Sequence, residues 1–437
     1  MNNKSYNTLY VFMNGELIGK LYKSHKGSLI FIYTDSWINT PSARPISLSM
    51  PLVDREFSGD VVYNYFDNLL PDNKNIRDKI QKKFQIKTSH PFDLLANIGR
   101  DCIGAIQIVP ENHEDFKKEI IARPLQHTEI AKILKGYQDY PLGMVNIEDD
   151  FRISIAGAQE KTAFLYEQGQ WCLPLSTTPT THIFKLPIGF INNFRQQMDL
   201  TDSCENEWLC SKIAENFGIP VAPCEILYFE DVKVLSIRRF DRRKSKDNSW
   251  IVRLPQEDIC QALGFSPNLK YQADGGPGIK EIMNLLLGSS APNSNRDLFY
   301  KSQVLFWLLA AIDGHAKNFS IFIQPQGKYN LTPLYDIMSA FPLMAKKQLN
   351  ENKIKMAMCL KGKKNYYNWH NMQRRYFIET AKSSKYSLQK SEKIIDEMLK
   401  KVNHVIEAVS KELPRDFPNI ISDSIFEGLY KASLELK

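Results

Sequence analysis

Asp313 and Asn318 stand five positions apart at the end of an apolar run, in residues 304–318, VLFWLLAAIDGHAKN. Phosphoryl transfer needs a carboxylate to accept the proton of the attacking hydroxyl. It also needs a neutral oxygen ligand for magnesium close by, and protein kinases supply the two as an Asp and an Asn at this spacing. A second metal-binding Asp then follows within a few tens of residues, after a hairpin. Here Ile321–Gln324, a turn at Gly327 and Tyr329–Thr332 read as two short strands, and Tyr335-Asp336 comes next. The spacing alone is common. The same residues also fit a helix-terminal cap at Asp313 and a turn residue at Asp336.

The elements that must hold these groups can be read around them. Val304–Ile312 has no strict alternation and suits a buried helix, here expected over Leu298–Ile312 with Gly314 as its stop signal. Upstream, HIFKLP (182–187) is a short β-run carrying one charge, Lys185. A lysine in a core strand is costly unless partnered, and kinase chemistry gives it the α- and β-phosphates and a helix glutamate. Glu207, in a helix expected over Ser203–Phe217, is the first candidate and Glu205 the second. FRISIAGAQEK (151–161) alternates like a strand, turns on Ala156-Gly157-Ala158 and leads to a second strand, Thr162–Tyr166. Such a turn can aim backbone N–H groups at phosphates, but it also fits an ordinary hairpin. Strands Ala222–Phe229 and Val232–Ile237 lead into Arg238-Arg239-Phe240-Asp241-Arg242-Arg243, read either as the hinge that binds adenine or as a surface loop.

The other strand signals lie near the start. Asn14-Gly15 between Leu9–Met13 and Leu17–Tyr22 is the strongest hairpin sign, and Leu29–Tyr33 follows. Helix signals then run over Lys74–Phe84 and Phe92–Ile98, with Ala105–Val109 a strand. From Gln256 the strand signals thin, and Gln256–Leu263, Gly278–Leu287, Arg374–Ala381, Ser387–Leu413 and Ile421–Leu436 read as helices. The turn Asp274-Gly275-Gly276-Pro277-Gly278 has only a weak claim on phosphate.

The 437 residues suggest two or three domains, at 43% hydrophobic and 24% charged residues ordinary for a soluble globular protein. No apolar run reaches the length of a membrane span, and the N-terminal residues lack a secretory pattern, so a cytoplasmic protein without a membrane partner is expected. Seven scattered cysteines without a C-x-x-C read as buried free thiols. Net charge is +7, yet residues 344–401 hold 15 Lys and Arg against 5 Asp and Glu. That asymmetry suits an acidic partner such as nucleic acid, or a solvated helical face.

Several long segments closely resemble the HipA family, the kinase toxins of bacterial HipA–HipB toxin–antitoxin modules. They include FDNLLPDNKNIRDKI (66–80), DFRISIAGAQEKTA (150–163), TPTTHIFKLPIG (178–189), RLPQEDICQALG (253–264), DGHAKNFSIFIQ (313–324) and LTPLYDIMSAFP (331–342). The resemblance implies an α+β fold related to protein and phosphoinositide kinases. Its parts are an N-terminal subdomain (1–110), a linker (111–149), a small lobe with ATP loop and hinge (150–255) and a helical C-terminal lobe (256–437). It implies Asp313 as catalytic base and Asn318 and Asp336 as Mg²⁺ ligands. ATP contacts are implied for Lys185, for the loop Ala156, Gly157, Ala158, Gln159, Glu160 and Lys161, for the hinge Arg238, Arg239 and Phe240, and for His315, Ala316, Lys317, Asn318, Tyr335 and Asp336. Ser154 corresponds to the family's autophosphorylated serine, whose modification expels the loop, with Arg152 and the arginines at 238–243 as phosphate partners. Lys382 and Lys385 align with a DNA-facing patch. The implied partners are a HipB-like helix-turn-helix antitoxin, operator DNA bound through it, which places the complex on the nucleoid, and a protein substrate. That substrate is an aminoacyl-tRNA synthetase, glutamyl-tRNA synthetase in the best-known case. Two alternatives stay open: a catalytically silent co-repressor, and a small-molecule or lipid kinase on the same fold.

Overall fold

The computed structural model describes residues 7–110, 116–136, 154–157, 159, 161–193 and 196–437. These form two compact units, one within 1–186, 227–268 and 320–329, the other of 187–226, 269–319 and 330–437.

The first unit opens with a five-stranded antiparallel sheet. Its order is Glu56–Ser58, Leu29–Tyr33, Glu16–Lys23, Thr8–Met13 and Ile106–Val109. Asn14 and Gly15 close the first hairpin with φ of 52° and 85°, the pair of positive values that a two-residue turn of matching twist requires. Helices Asp60–Asp67, Lys74–Lys83 and Pro91–Ile98 bury Tyr65, Phe66, Ile80, Phe92 and Leu95 in one core with Leu9, Val11, Leu21 and Phe31 of the sheet. A second sheet orders Cys224–Phe229, Val232–Arg238, His182–Lys185, Lys161–Glu167, Gln170–Pro174 and Ala122–Pro124. The segment expected as a linker thus contributes a strand. It also contributes the helix His127–Lys135, begun by reciprocal bonding of Gln126 with Glu129 and burying Ile130, Ala131 and Leu134.

Two expectations for this unit need correction. Gln256–Leu263 is not one helix. Asp258 accepts from the Gln261 amide while Gln261 accepts from the Asp258 amide, so the helix begins only at Ile259–Ala262. Gln256–Asp258 ahead of it pair antiparallel with Ser320–Phe322. Nor is the basic run at 238–243 a surface loop, since Arg239 and Arg242 are buried. Asp101 accepts from Arg242 Nη2 at 2.8 Å, from Arg253 Nη2 at 3.3 Å, from Arg239 Nη1 at 3.4 Å and from Thr180 Oγ1 at 2.7 Å. Asp241 accepts from Arg239 Nη2 at 2.8 Å and from the Gly104 amide at 2.7 Å. The three guanidinium groups hold the Asp101 carboxyl well below the usual carboxylate range although burial acts the other way.

In the second unit the helices Ser203–Asn216, Pro292–Leu308, Leu388–Ser410 and Asn419–Glu435 carry the buried apolar positions Leu209, Ile213, Val304, Leu305, Val402, Val405, Ile425 and Leu429. The region expected as helical also contains the hairpin Lys355–Lys361 and Asn365–Asn368.

Two outcomes follow for stability. Asp101→Asn leaves buried arginines short of a counter-charge and should cost about 3–5 kcal/mol, read as a lowered thermal unfolding temperature. Glu257 is fully buried against Ser47 and the Leu48 amide, and burial raises its pKa from 4.5 to about 8. The native state then binds a proton that the unfolded chain releases between those values. Stability contributed by Glu257 is complete below the lower value and is lost as pH rises through the upper one. Glu257→Gln should flatten the fall in unfolding temperature across that window.

Candidate active site

Asp313 is presented by the way its helix ends. The helix Pro292–Leu308 starts and stops earlier than the apolar pattern suggested. Ala310 takes φ of 46°, the Ala310 amide donates to Trp307 O and the Ala311 amide to Phe306 O. This is the two-bond helix stop usually built on glycine. Gly314, expected to be that glycine, instead makes room for a ring, since a Cβ there would lie 2.2 Å from Phe306. The strained turn at Ala310 is held from outside. The Ala340 amide donates to Ala310 O, and Ser339 Oγ donates to Leu309 O at 2.6 Å. Asn206 in turn grips Ser339 through both its amide and its carbonyl, each at 2.8 Å.

Beyond the turn, Asp313 is exposed whereas His315, Lys317 and Asn318 are buried. Ala316–Asn318 form one tight helical turn, with the Asn318 amide donating to His315 O. Asn318 Nδ2 donates to Asp313 O at 3.1 Å and to Asp336 O at 3.4 Å, joining the three residues picked out by spacing. With the side-chain nitrogen so engaged, the amide oxygen of Asn318 is the atom left to act as a ligand. Asp336 has φ of 61°, in the left-handed region that aspartate tolerates better than most residues. Leu334 just before it pairs with Val221, and Tyr335 Oη donates to Lys317 O at 2.9 Å. One carboxylate and one amide oxygen, both hard donors, suit a magnesium ion that takes its remaining ligands from phosphate and water.

In the first unit, Lys161 and Lys185 stand directly opposite on paired strands and both are buried. Like charges so placed repel unless anions offset them. Gly157 has φ of 108°, and a Cβ on it would come within 2.5 Å of Lys161 Nζ, so that ammonium lies against the glycine. Gln159 Nε2 donates to Leu186 O at 2.8 Å. Ala156 is described as half-buried, whereas Arg152, Ala158 and Glu160 lie outside the described residues. Ser154 is 0% exposed; its Oγ donates to Leu69 O at 2.7 Å and its amide to Asp101 O at 3.0 Å. The strand expected at 151–155 is not seen over Ser154 and Ile155, and 151–153 are outside the described residues.

Of the hinge residues, Arg238 is exposed and Phe240 stands edge-on to Phe322. Arg239 is locked in the Asp101 cluster, and its amide donates to Thr181 O. Arg242 is locked likewise, so neither is disposed to receive a phosphoserine as the sequence suggested; the exposed members of the run are Arg238 and Arg243. Glu205 and Glu207 are both buried in the helix Ser203–Asn216 of the second unit. Lys382 and Lys385 are exposed where the helix Arg374–Ser383 turns toward the next. Sequence reasoning missed Asn206 and Ser339, whose clamp lies 133 residues apart in the chain, and it missed Tyr271.

Comparison with known proteins gives two family matches: the HipA N-terminal domain over residues 9–109 and the HipA-like C-terminal domain over 153–406. Y4mE of Sinorhizobium fredii, which is named as a kinase, is 32% identical over 346 residues, 78% of this chain and 79% of its own. The serine/threonine-protein kinase toxin HipA of Shewanella oneidensis is 29% identical over 76% of this chain and 75% of its own. A solved chain from the complex of Shewanella oneidensis HipA, HipB and operator DNA superposes with a TM-score of 0.79. It covers 98% of this chain and 97% of that one at 22% identity, which shows a shared fold.

If the loop receives nucleotide phosphates, Gly157→Ala should weaken ATP binding about tenfold, because the left-handed backbone strains an added Cβ by ~1–2 kcal/mol. Titration of nucleotide into both proteins checks this, with unfolding temperature as the control.

Proposed function

The chain belongs to the HipA family, and on that premise we propose that it is an ATP-dependent serine/threonine protein kinase acting as the toxin of a toxin–antitoxin module. The observation that carries this is the joining of Asp313, Asn318 and Asp336 through one side-chain amide. In the reaction the acceptor hydroxyl oxygen bonds to the γ-phosphorus, the bond to the ADP oxygen breaks, and Asp313 takes the hydroxyl proton. Asn318 and Asp336 would hold Mg²⁺, which would supply positive charge to offset the phosphates. In this reading the nucleotide contacts fall to Lys185, Lys161, the loop 156–161 and the hinge 238–240 of the first unit and to His315, Ala316, Lys317 and Tyr335 of the second. Glu207 is the helix glutamate that kinase chemistry assigns to Lys185.

Ser154 is the autophosphorylation site in this reading. A phosphate adds roughly 1.5 to 2 negative charges, and a serine that is 0% exposed and bonded to Leu69 O has no room for it. Modification therefore requires the segment to leave its seat, which supports a loop that is either docked or phosphorylated. The protein acts in the bacterial cytoplasm on an aminoacyl-tRNA synthetase. A HipB-like antitoxin and operator DNA are its other partners, as in the Shewanella oneidensis complex, with Lys382 and Lys385 facing DNA and the complex nucleoid-associated.

Among described helices none is long and apolar enough to cross a membrane. The domain assignment 1–110, 111–149, 150–255 and 256–437 belongs to the same reading.

Intact mass after incubation with Mg·ATP tests it. Wild type should gain one phosphate, mapped to Ser154; Asp313→Ala should lose about 10²–10⁴-fold in rate and all toxicity. A toxic Asp313→Ala protein would favour a silent co-repressor instead.

A further inference from the structure

Tyr271 Oη donates to Asp313 Oδ1 at 2.6 Å. The ring of Tyr271 also meets that of His315 edge-on, with centroids 5.0 Å apart. Next to it, the Ala316 amide donates to Lys270 O at 3.2 Å. The segment at 270–271 is thus bound to the catalytic segment at three points, one of them the carboxylate itself.

The segment's own fold explains why it stays there. The Asp274 and Gly276 amides both donate to Tyr271 O, at 3.1 and 3.0 Å. Gly275 has φ of 98°, and a Cβ on Gly276 would fall 1.8 Å from Leu269 O. Only glycine closes that turn. Gln272 Oε1 accepts from the Cys359 amide at 2.8 Å, tying the far side of the turn to the strand Lys355–Lys361. The Asp-Gly-Gly-Pro-Gly motif, which had only a weak claim on phosphate, therefore serves to set Tyr271.

We infer that Tyr271 is a positioning residue for proton transfer: its phenol fixes one oxygen of Asp313, so that the other oxygen faces the acceptor hydroxyl. This rests on the reading of Asp313 as the proton acceptor. An exposed aspartate left alone samples several rotamers, and a general base must stand within hydrogen-bond reach of the proton it takes. A misplacement of about 1 Å at such a group costs on the order of 10²-fold in rate. The phenol donates its own hydrogen to Asp313 Oδ1, which leaves Oδ2 to receive the proton of the acceptor.

The test compares wild type, Tyr271→Phe and Asp313→Asn in phosphate incorporation from Mg·ATP at a series of ATP concentrations. Binding of a non-hydrolysable ATP analogue and thermal unfolding are measured alongside. Tyr271→Phe should lower the maximal rate about tenfold while half-saturating ATP, analogue affinity and unfolding temperature stay at wild-type values. A Tyr271→Phe rate equal to or above wild type overturns the inference, and marks the phenol as a plug in the acceptor position. Phosphate mapped to Tyr271 in wild type overturns it too, making the tyrosine an acceptor. So does a joint shift of rate, analogue affinity and unfolding temperature, which would mean a general structural role. An Asp313→Asn protein as fast as wild type defeats the underlying reading of Asp313, an outcome visible without reference to Tyr271.

Discussion

One strained residue governs the second unit. Ala310 sits in the left-handed region, which costs an alanine about 1–2 kcal/mol more than it costs glycine. It persists because the turn is bonded from both sides, by the helix's own last carbonyls and by Ser339 and Ala340. The same Ser339–Ala340 segment follows Asp336 by three residues. The helix stop that aims Asp313 and the strand exit that aims Asp336 are thus one hydrogen-bonded object, with Asn206 as its outer clamp. Asn318 closes it from within. Loss of any one tie leaves a buried polar group unmatched, which is why such networks move little.

In the first unit the corresponding constraint is electrostatic. Five charged side chains, Asp101, Arg239, Asp241, Arg242 and Arg253, are buried together. Buried ion pairs rarely add much stability over an apolar core, because desolvation offsets the attraction. Their yield is fixed geometry. Asp101 also carries, on its backbone carbonyl, the amide of Ser154. The backbone that lodges this loop is therefore set by ion pairs to Arg239, Arg242 and Arg253, all of them more than a hundred residues further along the chain.

Much of this was legible from residue types. Asn14-Gly15 announced its hairpin because few residues accept two positive φ values in succession, and the spacing of Asp313, Asn318 and Asp336 picked out three residues that one side-chain amide joins. What stayed hidden depended on distant partners. The arginine run left hinge and surface loop both open because its counter-ion Asp101 stands 138 residues away from Arg239. Gln256-Glu257 looked helical because nothing local reveals that Ser47, 210 residues away, bonds to the glutamate within a strand. Ala310 carries no turn signature at all, since tertiary bonds and not local propensity hold it. In each case a short-range preference was overruled by a long-range hydrogen bond or ion pair.

Two buried lysines, Lys161 and Lys185, are opposed on neighbouring strands. Lys161 and Lys185 share one face of a buried sheet, where like charges lower stability unless an anion lies between or beside them. The backbone of each lysine is fixed in a strand, and Lys161 Nζ lies beside Gly157. Glycine suits that position because its backbone lies in the left-handed region. Ser154, three residues earlier and fully buried, is bonded to Leu69, while Gly157 O accepts from the Asp72 amide. The loop is therefore pinned at both its start and its turn by the 69–72 segment. A phosphate on Ser154 would have to break the first pin, and the second lies too close along the chain to remain unaffected.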